Sequence, residues 1–110
     1  MTDVPSWPPA WIRAGLDLAV LGSLTGGPLH GYGIAQALAG RGFGVLKGGS
    51  LYPVLNRLEE AGDVTASWVE GHSGPGKKEY VLTDAGRSRL RDGLSDWDSF
   101  TTALRQLGGS

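Results

Sequence analysis

A mainly α fold carrying one two-stranded β-hairpin is predicted by three features of the sequence. Apolar residues recur at helical spacing in successive segments up to residue 61, the period switches to near two between residues 64 and 83, and a helical period returns from residue 84 onward. At 110 residues and 40% hydrophobic content the chain can bury one modest core, so a single domain is expected.

Residues 1–10 hold Pro5, Pro8 and Pro9 around Trp7, a composition that favours an extended arm. From Trp11, the residues Ile12, Leu16, Ala19, Val20 and Leu24 follow the spacing of an amphipathic helix, which Gly26-Gly27-Pro28 closes. A second short helix is expected from about Gly31 to Ala39, with Ile34, Ala35 and Leu38 inward; it ends at Gly40, and Gly42 and Gly44 make a turn.

The third helix is expected over Ser50 to Ala61. With Ser50 as N-cap, Pro53 falls in the first turn, where its missing N–H would have no intrahelical partner. Leu51, Val54, Leu55 and Leu58 then share one face, Asn56 and Arg57 lie largely off it, and Gly62 ends the helix as a left-handed cap.

Val64 to Glu70 and Lys77 to Thr83 read as two strands joined by Gly71-His-Ser-Gly-Pro-Gly76. Thr83 caps a last helix, with Asp84 at the positive end of its dipole. There Leu90, Leu94, Trp97, Thr101 and Leu104 follow heptad-like spacing, which marks Leu90, Leu94, Trp97 and Leu104 as a dimerisation seam; Phe100 and Leu107 widen the stripe. Three units result: an arm over 1–10, a helix-rich unit with its hairpin over 11–83, and a dimerisation helix over 84–110.

The net charge is −1, but its distribution matters more than its sum. No acidic residue falls between Asp17 and Glu59, a stretch that holds Arg41, Lys47 and Arg57, and Lys77 with Lys78 forms a second basic point. The acids gather at Glu59, Glu60, Asp63 and Glu70 and again at Asp84, Asp92, Asp96 and Asp98, so one face can still be positive.

Enzyme and metal chemistry find little support. Without cysteine there is no disulfide framework or thiolate site, and the two histidines, His30 and His72, sit in different elements, so neither metal nor cofactor is expected. The segment Gly71 to Lys78 matches a phosphate-binding loop at its glycines and Lys77, yet Lys78 stands where a magnesium-binding hydroxyl belongs, and the segment joins two strands. No Ser, His and acid group into a triad, and no paired carboxylates sit in an apolar setting. The longest apolar run is too short for a bilayer and the N-terminus lacks a signal-peptide layout, so a cytoplasmic location with no membrane partner is expected.

Three helices followed by a two-stranded wing form the winged helix-turn-helix layout, whose third helix enters the DNA major groove. Such a helix needs an apolar seat and small, hydroxylic, amide and basic side chains toward the duplex. Lys47, Ser50, Tyr52, Asn56 and Arg57 supply that set, and Lys77 and Lys78 sit where the hairpin leaves its tip, placed for phosphates. Gly74-Pro75-Gly76 would allow close backbone approach. Tyr52 and Pro53 serve equally as turn-setting residues, the lysines are otherwise ordinary solvated charges, and Arg87, Arg89 and Arg91, among interleaved acids, read as a solvated helix face.

The segments Gly27-Pro-Leu-His-Gly-Tyr-Gly-Ile34, Gly49-Ser-Leu-Tyr-Pro-Val-Leu-Asn-Arg-Leu-Glu-Glu-Ala-Gly62 and Gly74-Pro-Gly-Lys-Lys-Glu-Tyr-Val-Leu-Thr-Asp-Ala-Gly-Arg87 closely resemble the signature of the PadR family, from about Leu18 to Phe100. The resemblance implies a homodimer that binds a palindromic double-stranded DNA operator, usually as a repressor, and releases it when a small molecule binds. The lone last helix resembles the compact subfamily, in some of which a flat aromatic ligand lies between tryptophans at the dimer centre. Trp97 matches that position, and Phe100, Trp11 and Trp7 complete the expected ligand-binding set. The arm Trp7-Pro-Pro-Ala-Trp11 departs from the family's pattern. A tryptophan on such a seam is more often plain dimer core, which is the other reading of Trp97. Two further classes stay open: a winged helix that binds a protein partner, and a drug-sequestering protein that does not bind DNA.

Overall fold

The computed structural model describes residues 4–70 and 77–109. Helix α1 (Pro9–Ser23) is followed by strand β1 (Leu29–His30), helices α2 (Gly31–Ala39) and α3 (Gly48–Glu60), strands β2 (Val64–Val69) and β3 (Lys77–Leu82), and helix α4 (Asp84–Leu107). This is the predicted mainly α winged arrangement, with one strand more than expected.

α1 begins at Pro9 rather than Trp11, which shortens the extended arm. Proline suits the first helical position because its φ is preset and its absent N–H would have been unpaired there. Ile12, Leu16, Val20 and Leu21 are buried along one side, and the last three meet Ile34, Leu38, Leu51, Leu55 and Leu58 from the next two helices in one core. Val64, Tyr80 and Leu82 close that core from the sheet.

The sheet is antiparallel in the order β1-β3-β2. β1 pairs Leu29 with Tyr80 and His30 with Glu79. Two residues carry no alternation that a sequence pattern can register, so this strand was not anticipated. In β2, Val64, Ala66 and Trp68 lie opposite Leu82, Tyr80 and Lys78 of β3, and this shared face begins on the core.

Two helix starts differ in character. Lys47, not Ser50, is the N-cap of α3, and its side chain makes no capping bond; the N–H groups of Ser50 and Leu51 both reach the Lys47 carbonyl, at 2.9 and 3.0 Å. Pro53 therefore lies inside the helix, beyond its first turn. Gly48 and Gly49 hide the true start, since glycine is a poor helix former and leaves no cap signature. α4 starts as expected, with the Thr83 hydroxyl accepting from the Gly86 N–H at 3.0 Å.

The turn out of α3 also matches its prediction. Gly62 has φ +82°, its N–H reaches the Glu59 carbonyl at 3.0 Å, and the Asp63 N–H reaches that of Leu58 at 2.9 Å. This is the doubly bonded left-handed helix cap. The start of α4 docks directly on it, because the Thr83 hydroxyl donates to the Gly62 carbonyl at 2.7 Å. From there α4 crosses α1 closely at Gly93, where an added Cβ would come within 2.6 Å of Leu18. Its later turns extend past the core and elongate the molecule to 58 × 33 × 22 Å.

Candidate nucleic-acid interface and aromatic cleft

α3 and the hairpin enclose a groove of about 500 Å³ that runs to the start of α2. Tyr52 and Asn56 line it from α3, one turn apart, with Lys77, Lys78 and Tyr80 from β3 and His30, Gly31 and Tyr32 from the entry to α2. Four of the seven residues expected to meet DNA thus share one concavity, and none of the described residues that line it is a carboxylate. Lys47 and Ser50 are exposed at the N-terminal end of α3, outside the groove lining.

The individual side chains are held differently. The Tyr52 hydroxyl lies against Gly31, where a Cβ would come within 2.6 Å of it, so Tyr52 both borders the groove and seats α3 on α2. Lys78 pairs with Glu59 at 3.3 Å and stands 5.6 Å from the centre of the Tyr80 ring. Burial raises the Tyr80 phenol above its ordinary pKa, with the nearby Lys78 charge acting in the opposite direction. Lys77 is exposed. Gly74-Pro75-Gly76, His72 and the rest of the segment read as a phosphate loop up to Gly76 lie outside the described residues.

Arg57 occupies another flank. Its guanidinium donates to Asp17 of α1 at 2.5 Å, and Arg89 of α4 donates to the other oxygen of Asp17 at 3.0 Å and to Asp63 at 2.6 Å. Arg89 is therefore exposed, as a solvated face requires, but engaged by two acids. The hydrogen bond to buried Asp63 is the main cause holding its pKa above the usual arginine value.

A second concavity, about 270 Å³, is lined by Trp7, Trp11, Ile12, Gly15, Phe43 and Trp97. It brings together three of the four residues expected to take a ligand. Phe100 meets Trp97 edge to face at 5.7 Å but lines a different cleft, with Leu18 and Gly93. Phe43, which the sequence did not single out, forms a wall and packs edge to face on Trp7 at 5.7 Å. The Ser6 N–H donates to the Gly42 carbonyl at 2.8 Å, so the arm is tied to the turn that leads into α3.

The α4 stripe expected to join two copies divides in two. Leu90 packs against the chain's own core, whereas Leu94, Leu104, Phe100 and Leu107 are more than half exposed, at 52%, 54%, 54% and 87%. No helix among the described residues is long and apolar enough to cross a membrane.

Known proteins share this architecture. The family model described as the transcriptional regulator PadR-like family matches residues 20–92. A PadR family transcriptional regulator from Eggerthella lenta is 31% identical, with a TM-score of 0.81 over 89% of this chain and 85% of that one. A PadR family regulator from Clostridium difficile is 26% identical, with a TM-score of 0.75 over 84% of this chain and 97% of that one. Bacillus subtilis PadR, solved in complex with operator DNA, is 35% identical, with a TM-score of 0.64 over 72% of this chain and 46% of that one. No curated protein matches the chain. A family match over residues 20–92, together with a shared winged-helix fold, makes this chain a member of the PadR-like transcriptional regulator family.

Proposed function

We propose that this chain is a ligand-responsive repressor that binds a pseudo-palindromic operator as a homodimer. The observation that carries this reading is the groove between α3 and the wing, where Tyr52, Asn56, Lys77 and Lys78 converge with no carboxylate among the described lining residues. α3 enters the major groove with Asn56 toward the base edges and with Lys47 and Ser50 at its leading end, while the wing lysines hold phosphates. The operator complex of the related Bacillus subtilis protein supports the same use here.

The exposed stripe of Leu94, Phe100 and Leu104 on α4 joins the two copies, and residues 11–83 of each act as a reading head. The two α3 helices then lie about 34 Å apart, one turn of the duplex. A flat aromatic effector enters the cleft of Trp7, Trp11 and Trp97, and a change in the setting of α4 spoils that spacing. The protein acts in the cytoplasm. A drug-sequestering protein accounts for the aromatic cleft but leaves the basic groove without a use.

The deciding experiment is a gel shift with DNA upstream of the chain's own coding sequence, alongside sedimentation of the purified protein. A dimer that prefers this duplex over unrelated DNA is the expected result. A monomer, or a protein that binds no duplex at low salt, would refute the proposal.

A further inference from the structure

Trp68 and Tyr32 are exposed at 73% and 67%, far more than aromatic side chains with a packing role in the chain's own core. Both border the groove between α3 and the wing, although they come from different elements. Trp68 lies on the β2 face that begins on the core at Val64 and continues through Ala66, opposite Lys78, so it stands on the groove side of the wing where the core has ended. Tyr32 lies in the first turn of α2, its ring stacked on His30 at 6.5 Å with 19° between planes.

We infer that Trp68 and Tyr32 are two further DNA-contacting residues, which grip the deoxyribose-phosphate backbone from opposite sides of the groove. The inference rests on the DNA-binding reading above. Each side chain joins an apolar ring, which can cover the carbon face of a sugar, to one N–H or O–H that can donate to a phosphate. Lys77 and Lys78 bring the charge that draws an anionic backbone to the same place. Backbone grips of this kind set orientation and carry no sequence information.

The test uses the full chain, fluorescence anisotropy, and two labelled duplexes: one selected by the protein from a random pool, one unrelated. Trp68→Ala and Tyr32→Ala should each weaken binding to both duplexes by about tenfold, with the salt dependence unchanged because no charge is lost. Trp68→Phe, which keeps an apolar ring, should recover most of the loss. Lys77→Ala should instead flatten the salt dependence. Thermal melting checks folding, and should Trp68→Ala melt early, the Tyr32→Ala result decides. If the wild-type protein binds duplex and both alanine variants bind equally well, this inference alone fails. It also fails if only the selected duplex is weakened, since that marks base reading. If the wild-type protein binds neither duplex, the DNA-binding reading fails with it.

Discussion

Arg57 of α3 donates to Asp17 of α1 at 2.5 Å, and the same carboxylate accepts from Arg89 of α4 at 3.0 Å. One acid therefore ties α3 to the helix that carries the exposed apolar stripe. The Arg57 side chain is 57% exposed, so the pair itself is a surface ion pair worth about 1 kcal/mol or less. Its effect is one of direction, since it turns Arg57 toward α1 while Asn56 faces the groove.

Two substitutions separate those roles. Asn56→Ala should relax operator preference by about 1–3 kcal/mol, the usual value of a good side-chain pair on a base edge. Arg57→Ala should leave preference largely intact and lower stability by about 1 kcal/mol or less. Competition binding against single-base operator variants, with urea melts for stability, measures both; a larger loss of preference from Arg57→Ala would show that Arg57 leaves Asp17 on binding.

The wing lysines should not be equivalent. Lys77 is exposed, whereas Lys78 is already engaged by Glu59 at 3.3 Å. Lys77→Ala should lower the slope of log affinity against log salt by about one, and Lys78→Ala by less, because its charge is partly compensated. Equal unchanged slopes in both variants would take β3 off the phosphate backbone.

How much was legible in the sequence depended on whether the cause was local. The caps at Gly62 and Thr83 are made by residues within a few positions of one another, so their chemistry could be read directly. The true start of α3 was masked by Gly48 and Gly49, and β1 exists only because β3 comes to lie beside it. The same holds for the sites. Lys77, Tyr52 and Asn56 were placed by the helix and hairpin patterns, but Phe43 joins the tryptophan cleft, and Arg89 its two acids, only through contacts across the fold.

Gly86 is required by one of those distant contacts. A Cβ there would sit 2.0 Å from the backbone oxygen of Asp63, which is fixed by the turn after α3 and cannot yield like a side chain. Gly86→Ala should cost at least about 2 kcal/mol and lower the melting temperature by about 10 °C. Gly15→Ala is the control: nothing lies within 4 Å of the added carbon, and the gain in helix propensity is up to about 1 kcal/mol. Equal melting of the two variants would mean that α4 can shift away from the turn at little cost.

The seam on α4 can be tested without disturbing the core. Leu94 and Leu104 are about half exposed, so Leu94→Glu with Leu104→Glu should leave the folded head intact by circular dichroism. On the proposed dimer, the double variant should sediment as a monomer and bind the operator at least about a hundredfold more weakly, because two linked heads would no longer act together. A variant that remains dimeric would move the interface off this stripe.

The aromatic cleft makes the last prediction, and Phe43 is its cleanest probe because it belongs to neither α1 nor α4. At about 270 Å³ the space suits a planar molecule of two or three rings, and Phe43 meets Trp7 on one wall while Trp97 closes another. Phe43→Ala removes a ring from the lining without changing a residue of α4, and because Phe43 also borders Leu90 and Leu94, sedimentation checks the dimer and thermal melting the fold. A neutral planar probe such as 2-naphthol should then bind about tenfold more weakly by calorimetry, with the dimer preserved. Trp97→Leu should weaken the same binding but also alter the seam, so its dimerisation must be measured alongside. The expected order is wild type strongest, then either variant, with the probe's effect on operator affinity declining in step. Undiminished probe binding in both variants would locate the ligand elsewhere and leave Trp97 as packing between the two copies.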